Sequence, residues 1–286
     1  MEGIIEKSSS NHKLVLDNYC KLIICHEEIL SRIVKCFVDE AKHLTLNEIE
    51  RLIKEKKSFH HLDKENFIPY SGKTNYDFLC TIDLSPRIYL NVEIQNDSNP
   101  GYSLITRGLT YISRIMTTQW KNEYYDYDYN HIKKVYSIWI LPQSAKKNDG
   151  HINAYKIDEI NINGTTIERI ETYDKGVLIM IYLNKEHDTN EKYIIYDNIL
   201  TPLVAFLNNV LSYQEKRKIM KKYGFKVIDT EIEKMCNLGE MIEREAIQKT
   251  KQSERKKRNI MVVRNLIHNL NTTFSNAVEL LGLPQQ

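Results

Sequence analysis

Polar and apolar residues alternate most strictly between Arg87 and Gln95. Ile88, Leu90, Val92 and Ile94 form one set, and Arg87, Tyr89, Asn91, Glu93 and Gln95 the other. This is the period of two expected of a strand with one buried face, and it points Glu93 and Gln95 the same way. Upstream, residues 75–82 alternate less cleanly, with Tyr76, Phe78, Cys80 and Ile82 on one side and Asn75, Asp77, Leu79 and Thr81 on the other. Asp83, Ser85 and Pro86 are turn formers between the two runs, so the simplest pairing is an antiparallel hairpin. That pairing can set Asp77 beside Glu93.

The rest of the chain reads as helices and strands around this hairpin. A helix over residues 14–41 is predicted by the stripe Tyr19, Leu22, Ile23, Ile29, Leu30, Ile33, Val34 and Phe37. Glu27 and Glu28 lie on it, and the pattern alone makes them solvated positions. Thr45 with Glu48 three residues on gives the capping box of a second, short helix. Residues 55–61 read as a charged loop, and the His60-His61 pair has no metal-ligand spacing.

After the hairpin, a turn rich in Asn, Asp and Pro leads to a helix over residues 103–121. Its apolar face comprises Leu104, Ile105, Gly108, Leu109, Ile112, Ile115 and Met116. Arg107, Tyr111, Arg114 and Thr118 form a separate stripe, and Gln119 projects toward the apolar side as a buried hydrogen-bonding residue. Residues 132–141 predict a strand at or next to the centre of the sheet, ended by Pro142. Strands around residues 152–162 and 177–183 follow, separated by an Asn163-Gly164 turn. From residue 198 onward the pattern is helical: residues 200–211, then 214–223 stopped by Gly224, then a long amphipathic helix over 229–268, and a terminal helix pair at 260–270 and 274–281.

The hairpin carries the candidate chemistry. Two carboxylates forced together on a partly buried sheet face repel, and a divalent cation bound by both relieves the repulsion. Asp77, Glu93 and the backbone carbonyl of Ile94 are hard oxygen donors suited to Mg²⁺, with Mn²⁺ able to substitute. Such a site leaves positions for water and a phosphate oxygen, the arrangement of metal-assisted phosphodiester hydrolysis. Gln95 would lie next to the attacking water. An ordinary solvated polar face is the plainer reading of the same alternation.

Asp77, the run 91–97 (Asn-Val-Glu-Ile-Gln-Asn-Asp), Pro100-Gly101-Tyr102, Arg107-Gly108, Tyr111-Ile112-Ser113-Arg114, Gln119 and the run 133–140 (Lys-Lys-Val-Tyr-Ser-Ile-Trp-Ile) together resemble the PD-(D/E)XK nuclease family transposases, also called recombination-promoting nucleases. The resemblance extends from about Asp17 to the C-terminus and is densest between Asp77 and Leu141. It implies a mixed α/β fold: a restriction-endonuclease-like core with a central mixed sheet flanked by helices, over residues 1–195, and a helical C-terminal region over 196–286. It also implies divalent-metal-dependent DNA cleavage, with Glu27 or Glu28 as an added acid for the metal shell. Asp77 matches the motif's isolated acid, Glu93 its second acid, and Gln95 the position where the superfamily more often has Lys. Two departures stand out. No proline precedes Asp77, and Gln95 can orient water but brings no charge to a developing phosphate. The triad of acids expected of a strand-transfer enzyme is also missing, so the pattern favours cutting over joining.

Composition narrows the partners. With 286 residues and 42% hydrophobic content the chain can bury a sizeable core. A formal net charge of only +2 means that DNA binding must come from local patches. The candidates are Arg107, Tyr111 and Arg114 on the helix after the acids, each arginine equally able to pair with core acids; Lys133 and Lys134 at the start of the next strand; the basic run 249–258, which also reads as a solvated face or a coiled-coil pairing surface; and tyrosines of the run 123–129, a tyrosine-rich loop among the 18 in the chain. The five cysteines form no C-x-x-C pair, and neither an apolar leader core nor a membrane-length apolar run is present, so a reducing cytoplasm without membrane contact is expected. Homodimerisation through the C-terminal helices is a further expectation. Two other readings stay open: an inactive nuclease-fold module for DNA binding or assembly, and a nuclease acting on RNA.

Overall fold

The computed structural model describes residues 24, 26–55, 59–62, 65–68, 72–120, 122–125, 128–142, 148, 150–183, 197–207, 211–225, 258–265, 267–269 and 272–281. The basic run 249–257 and the first part of the predicted N-terminal helix lie outside these residues. The chain divides into two compact units, residues 1–234 and 235–286.

The first unit is a mixed α/β domain built on a six-stranded sheet in the order β1-β4-β5-β6-β8-β7. The strands are β1 (Phe59–His61), β4 (Phe78–Asp83), β5 (Arg87–Ile94), β6 (Val135–Leu141), β7 (Ile152–Lys156) and β8 (Gly176–Tyr182); β2 (Glu65–Ile68) and β3 (Gly72–Asn75) form a separate antiparallel pair. β4 and β5 are the antiparallel hairpin, with Phe78 opposite Val92 and Asp83 opposite Arg87. β5, β6 and β8 run parallel to one another, and β1 and β7 close the two edges antiparallel to β4 and β8.

The chain segment between β5 and β6 has to return to the starting end of the sheet, and helix α3 (Leu104–Thr118) makes most of that journey. Helices α1 (Glu27–Phe37) and α2 (Leu46–Lys54) precede the sheet; a four-residue α4 (Ile170–Tyr173) leads into β8, and α5 (Asp197–Leu207) and α6 (Tyr213–Lys222) follow it. α3 lies on the face that carries Leu79, Tyr89, Val135, Trp139, Leu178 and Met180, burying Leu104, Tyr111, Ile112 and Ile115 in the same cluster. The approach is close because position 108 is glycine: a Cβ there would sit 2.5 Å from Leu178 Cδ1. On the opposite face Tyr136 donates its hydroxyl to Glu40 Oε2 (2.7 Å) and accepts from the Asp39 N–H (3.1 Å), just beyond α1.

Several expectations are corrected. Residues 59–61 are strand β1, not loop, because Phe59 to His61 pair with Ile82 to Cys80. The strand expected over 152–162 stops at Lys156, and Ile160 and Ile162 beyond it are exposed. Along β5 the polar set is not solvated: β6 on one side and α3 above bury Tyr89, Asn91 and Glu93. On α3, Leu109 is exposed while Tyr111 is buried, since the helix turns its Gly108–Tyr111–Ile115 edge to the sheet. Gln119, by contrast, is buried and hydrogen-bonded as expected: it clamps the chain before β6, donating to the Lys133 carbonyl (3.0 Å) and accepting from its N–H (2.7 Å).

The first unit extends past α6. Arg32 of α1 donates to the Tyr223 carbonyl (3.0 Å) and stacks over the Phe225 ring (3.8 Å), so the chain beyond α6 is tied to the domain. Gly224, at φ +74°, ends α6 there. In the second unit, residues 258–265 and 267–269 are helical and a helix spans Phe274–Leu280, with Val263 and Val278 forming a small shared core.

Candidate metal and phosphate site

β4 begins at Phe78, so Asp77 stands at a bend just outside the strand, level with Glu93 on β5. The two residues lock one another. The Asp77 N–H donates to Glu93 Oε1 (3.1 Å), and Asp77 Oδ2 accepts from the Ile94 N–H (3.0 Å). Because the N–H and C=O of one strand residue leave on the same edge, the Ile94 carbonyl faces the side on which Asp77 lies. Asp77 is half-buried and Glu93 buried.

A polar network underlies the pair. With its amide turned to satisfy every polar neighbour, Asn91 donates to Glu93 Oε1 (2.9 Å) and to the Phe78 carbonyl (3.0 Å) and accepts from Ser137 Oγ (3.0 Å). Trp139 Nε1 donates to the same Ser137 Oγ (2.9 Å). Asn91, Ser137 and Trp139 thus hold Glu93 from below. Sequence reasoning grouped Asn91 with Glu93 on one strand face but gave it no role, and the lone Ser137 within an otherwise apolar strand was the available signal.

Gln95 follows at the strand's carboxyl end, its N–H donating to the Ile140 carbonyl (2.9 Å) and its Nε2 to the Asp97 carbonyl (2.9 Å). Arg107, on the second turn of α3, donates from Nη1 to Gln95 Oε1 (3.3 Å). Tyr111, one turn further, accepts from Arg107 and lies edge-on to Tyr76 and tilted against Trp139. Burial pushes the Tyr111 hydroxyl's pKa up, Arg107 pulls it down, and the charges of Glu93 and Asp77 push it up further. Burial works against the charge on Arg107, yet its bond to Tyr111, the nearby tyrosines and Glu93 keep its pKa above the ordinary value.

The remaining candidates lie elsewhere. Trp139 is level with Glu93 on the adjacent strand, so Lys134 and Lys133 sit about 17 and 20 Å away at the other end of the sheet, at ~3.3 Å per residue. Lys134 is buried against Tyr136 and paired with Asp174 and, at 3.5 Å, with Glu40. It is part of the domain's internal charge balance. Glu27 pairs with Lys54 (2.9 Å), and Glu28 is buried on α1, beside Arg32. Arg114 is half-buried, midway along α3. Within the tyrosine run, Tyr124 is buried, edge-on to Trp120, while Tyr125 is exposed.

Among the described residues no cluster of three or more His, Cys, Asp or Glu side chains is arranged to hold a metal ion. A cation at this site would rest on two carboxylates, a backbone carbonyl and water, which is how Mg²⁺ is commonly held. The donor set fits in kind: both carboxylates are hard oxygen donors positioned by backbone N–H groups, Glu93 also by the Asn91 amide. Among the described residues no helix is long and apolar enough to cross a membrane. Comparison with protein-family models, with curated proteins and with solved structures gives no match.

Proposed function

We propose that the protein is a divalent-metal-dependent endonuclease that hydrolyses phosphodiester bonds in DNA, on a restriction-endonuclease-like core and in the setting of a mobile element or recombination. The observation that supports this best is the mutual anchoring of Asp77 and Glu93 at the carboxyl end of β5. Two carboxylates held together on a buried framework, with an arginine beside them, suit a cation and a phosphate better than they suit packing.

Asp77, Glu93 and the Ile94 carbonyl would hold Mg²⁺. When bound, it supplies Lewis-acid polarisation of the phosphate and a more acidic water. The backbone N–H groups of Asp77 and Ile94 keep the carboxylates in place before any ligand arrives, so little reorganisation is required. Gln95, aimed by its Nε2 bond to the Asp97 carbonyl, would orient water through Oε1. α3 covers the site and excludes solvent from the Trp139 side.

The test is cleavage of supercoiled plasmid by the purified protein in Mg²⁺ or Mn²⁺. Wild type should nick or linearise the DNA, and Asp77→Ala and Glu93→Ala should abolish this. Wild-type protein that leaves the plasmid intact, or alanine variants that cleave as well as wild type, would remove the assignment. A second reading, an inactive DNA-binding or assembly module, draws on Gln95 being engaged at both ends. It predicts salt-sensitive DNA binding with no divalent-ion binding in calorimetry. Competition between DNA and RNA would identify the preferred sugar.

A further inference from the structure

Arg107 is half-buried, yet all the partners that hold it are uncharged. Its Nε and Nη2 donate to Tyr111 Oη (3.1 and 2.6 Å), and its Nη1 donates to Tyr102 Oη (3.1 Å) and to Gln95 Oε1 (3.3 Å). Its Cζ lies 5.1 Å from the ring centres of both Tyr111 and Trp139. Among the described residues it forms no ion pair, and Glu93 acts on it only through space. Guanidinium groups taken out of water are ordinarily matched to a carboxylate or phosphate. Here aromatic faces and hydroxyls hold the cation in place and leave its charge without a directly bonded anion.

Gln95 links this cation to the end of β5 that carries Glu93. Its backbone is fixed by Ile140 and its Nε2 by the Asp97 carbonyl, so Oε1 has a single orientation, toward Arg107. A cation held by the acids would add positive charge at the same end of β5. Phosphate oxygens match the guanidinium fork.

We propose that Arg107 supplies the positive charge that Gln95 cannot, by exchanging Gln95 Oε1 for an oxygen of the substrate phosphate when a phosphodiester enters. The inference rests on the nuclease reading above. Tyr111 and Trp139 keep the guanidinium in position during the exchange, so Nη1 swaps one acceptor for another without a change in side-chain conformation. Gln95 Oε1, released by Nη1 and still aimed by the Asp97 contact, then accepts a hydrogen bond from the attacking water. The water oxygen bonds to phosphorus and the bond to one ester oxygen breaks. One water proton goes to the freed sugar hydroxyl and the other stays on the terminal phosphate. Arg107 is thus a catalytic residue that touches the phosphate, and Tyr111 a positioning residue behind it.

The test compares wild type with Arg107→Ala in oligonucleotide cleavage, with Mn²⁺ binding followed by calorimetry and the fold by near-ultraviolet circular dichroism. Arg107→Ala should lower kcat by about 100-fold, the scale for losing one transition-state donor. Its KM for DNA should change by less than about threefold. Mn²⁺ should bind as tightly as to wild type or more tightly, because a positive charge near Glu93 has been removed. A folded Arg107→Ala with kcat within about threefold of wild type would overturn the proposal, as would a loss of Mn²⁺ affinity large enough to account for the lost activity. Should the alanine variant lose its near-ultraviolet signal, Arg107→Gln, which keeps a long stem and polar head, carries the same comparison. Wild type that cleaves nothing defeats the nuclease reading itself; wild type that cleaves while Arg107→Ala does equally well defeats only the role of Arg107.

Discussion

The Asp77 N–H donates to Glu93 Oε1 at 3.1 Å while Asp77 Oδ2 accepts from the backbone beside Glu93, so each acid of the pair is also a splint for the other's strand. Changing either one therefore has a structural part and a chemical part, and the choice of substitution separates them. Glu93→Gln keeps an acceptor for the Asp77 N–H and should stay within about 1 kcal/mol of wild type, whereas Glu93→Ala strands that donor and the Asn91 amide and should cost about 1–3 kcal/mol. With Mg²⁺ bound as proposed, wild type should gain Tm on adding Mg²⁺ through linkage between ion binding and folding, and both variants should lose that gain. Thermal melts with and without Mg²⁺ measure both effects; a Glu93→Gln protein whose Tm still climbs with Mg²⁺ would place the ion elsewhere.

Gly108 lets α3 sit on β8. A methyl group there would lie 2.5 Å from Leu178 Cδ1 and 3.0 Å from Cδ2, and Leu178 is fully buried. Overpacking of this kind costs about 1–3 kcal/mol, against roughly 1 kcal/mol gained from helix propensity. Gly108→Ala is expected to be net destabilising in urea unfolding. Adding Leu178→Ala should recover part of the loss, because the new methyl fills the space the leucine leaves, and strictly additive effects would show that the two positions do not meet.

Lys134 is expected to matter for folding and not for DNA. Removing it leaves Asp174 and Glu40 around a buried position, with Asp174 Oδ1 already lacking a hydrogen-bond donor. Breaking a buried pair from one side costs on the order of 3 kcal/mol or more. Lys134→Met should therefore lower stability sharply while leaving the salt dependence of DNA binding unchanged. A reduced salt slope would mean that Lys134 reaches phosphate after all.

Acid should loosen the hairpin turn. The Arg87 guanidinium bonded to Asp83 holds that carboxyl below the ordinary aspartate range, against the opposing effect of burial. A depressed folded-state value means that the stabilisation is fully present above the unfolded value, about pH 3.9, and is lost as pH falls through the folded value. Asp83→Asn should lie below wild type in stability at neutral pH and converge with it at lower pH. Parallel acid limbs for the two proteins would show that Asp83 does not carry this dependence.

Sequence periodicity located the hairpin, the return helix and the buried strand 135–141, because each has a long and regular pattern. It misjudged sides wherever a strand is covered on both. Asn91 and Glu93 alternate with Leu90 and Val92 as they would on a solvated face, and only the presence of β6 and α3 makes that face interior. Three-residue β1 is too short for any pattern to emerge, and its His60-His61 pair gives no apolar signal. The isoleucines after Lys156 mimic a longer strand, although nothing among the described residues covers Ile160 or Ile162. Lys133 and Lys134 read as DNA candidates at the start of the next strand, and the parallel register puts that start at the end of the sheet away from the acids. The acid pair itself was legible; the guanidinium latch on Gln95 and the Asn91–Ser137 support beneath Glu93 depend on chain crossing and were not.

Parallel neighbours impose a detour, and here the detour begins where β5 stops. Ser103 caps α3 only a few residues beyond Gln95, so the same connection that satisfies the sheet's topology also delivers Arg107 to the mouth of the site. Lengthening the loops near Trp120 or His131, at the far end of that connection, should leave the chemistry alone, whereas a single residue inserted between Gln95 and Ser103 should rotate the arginine off its mark.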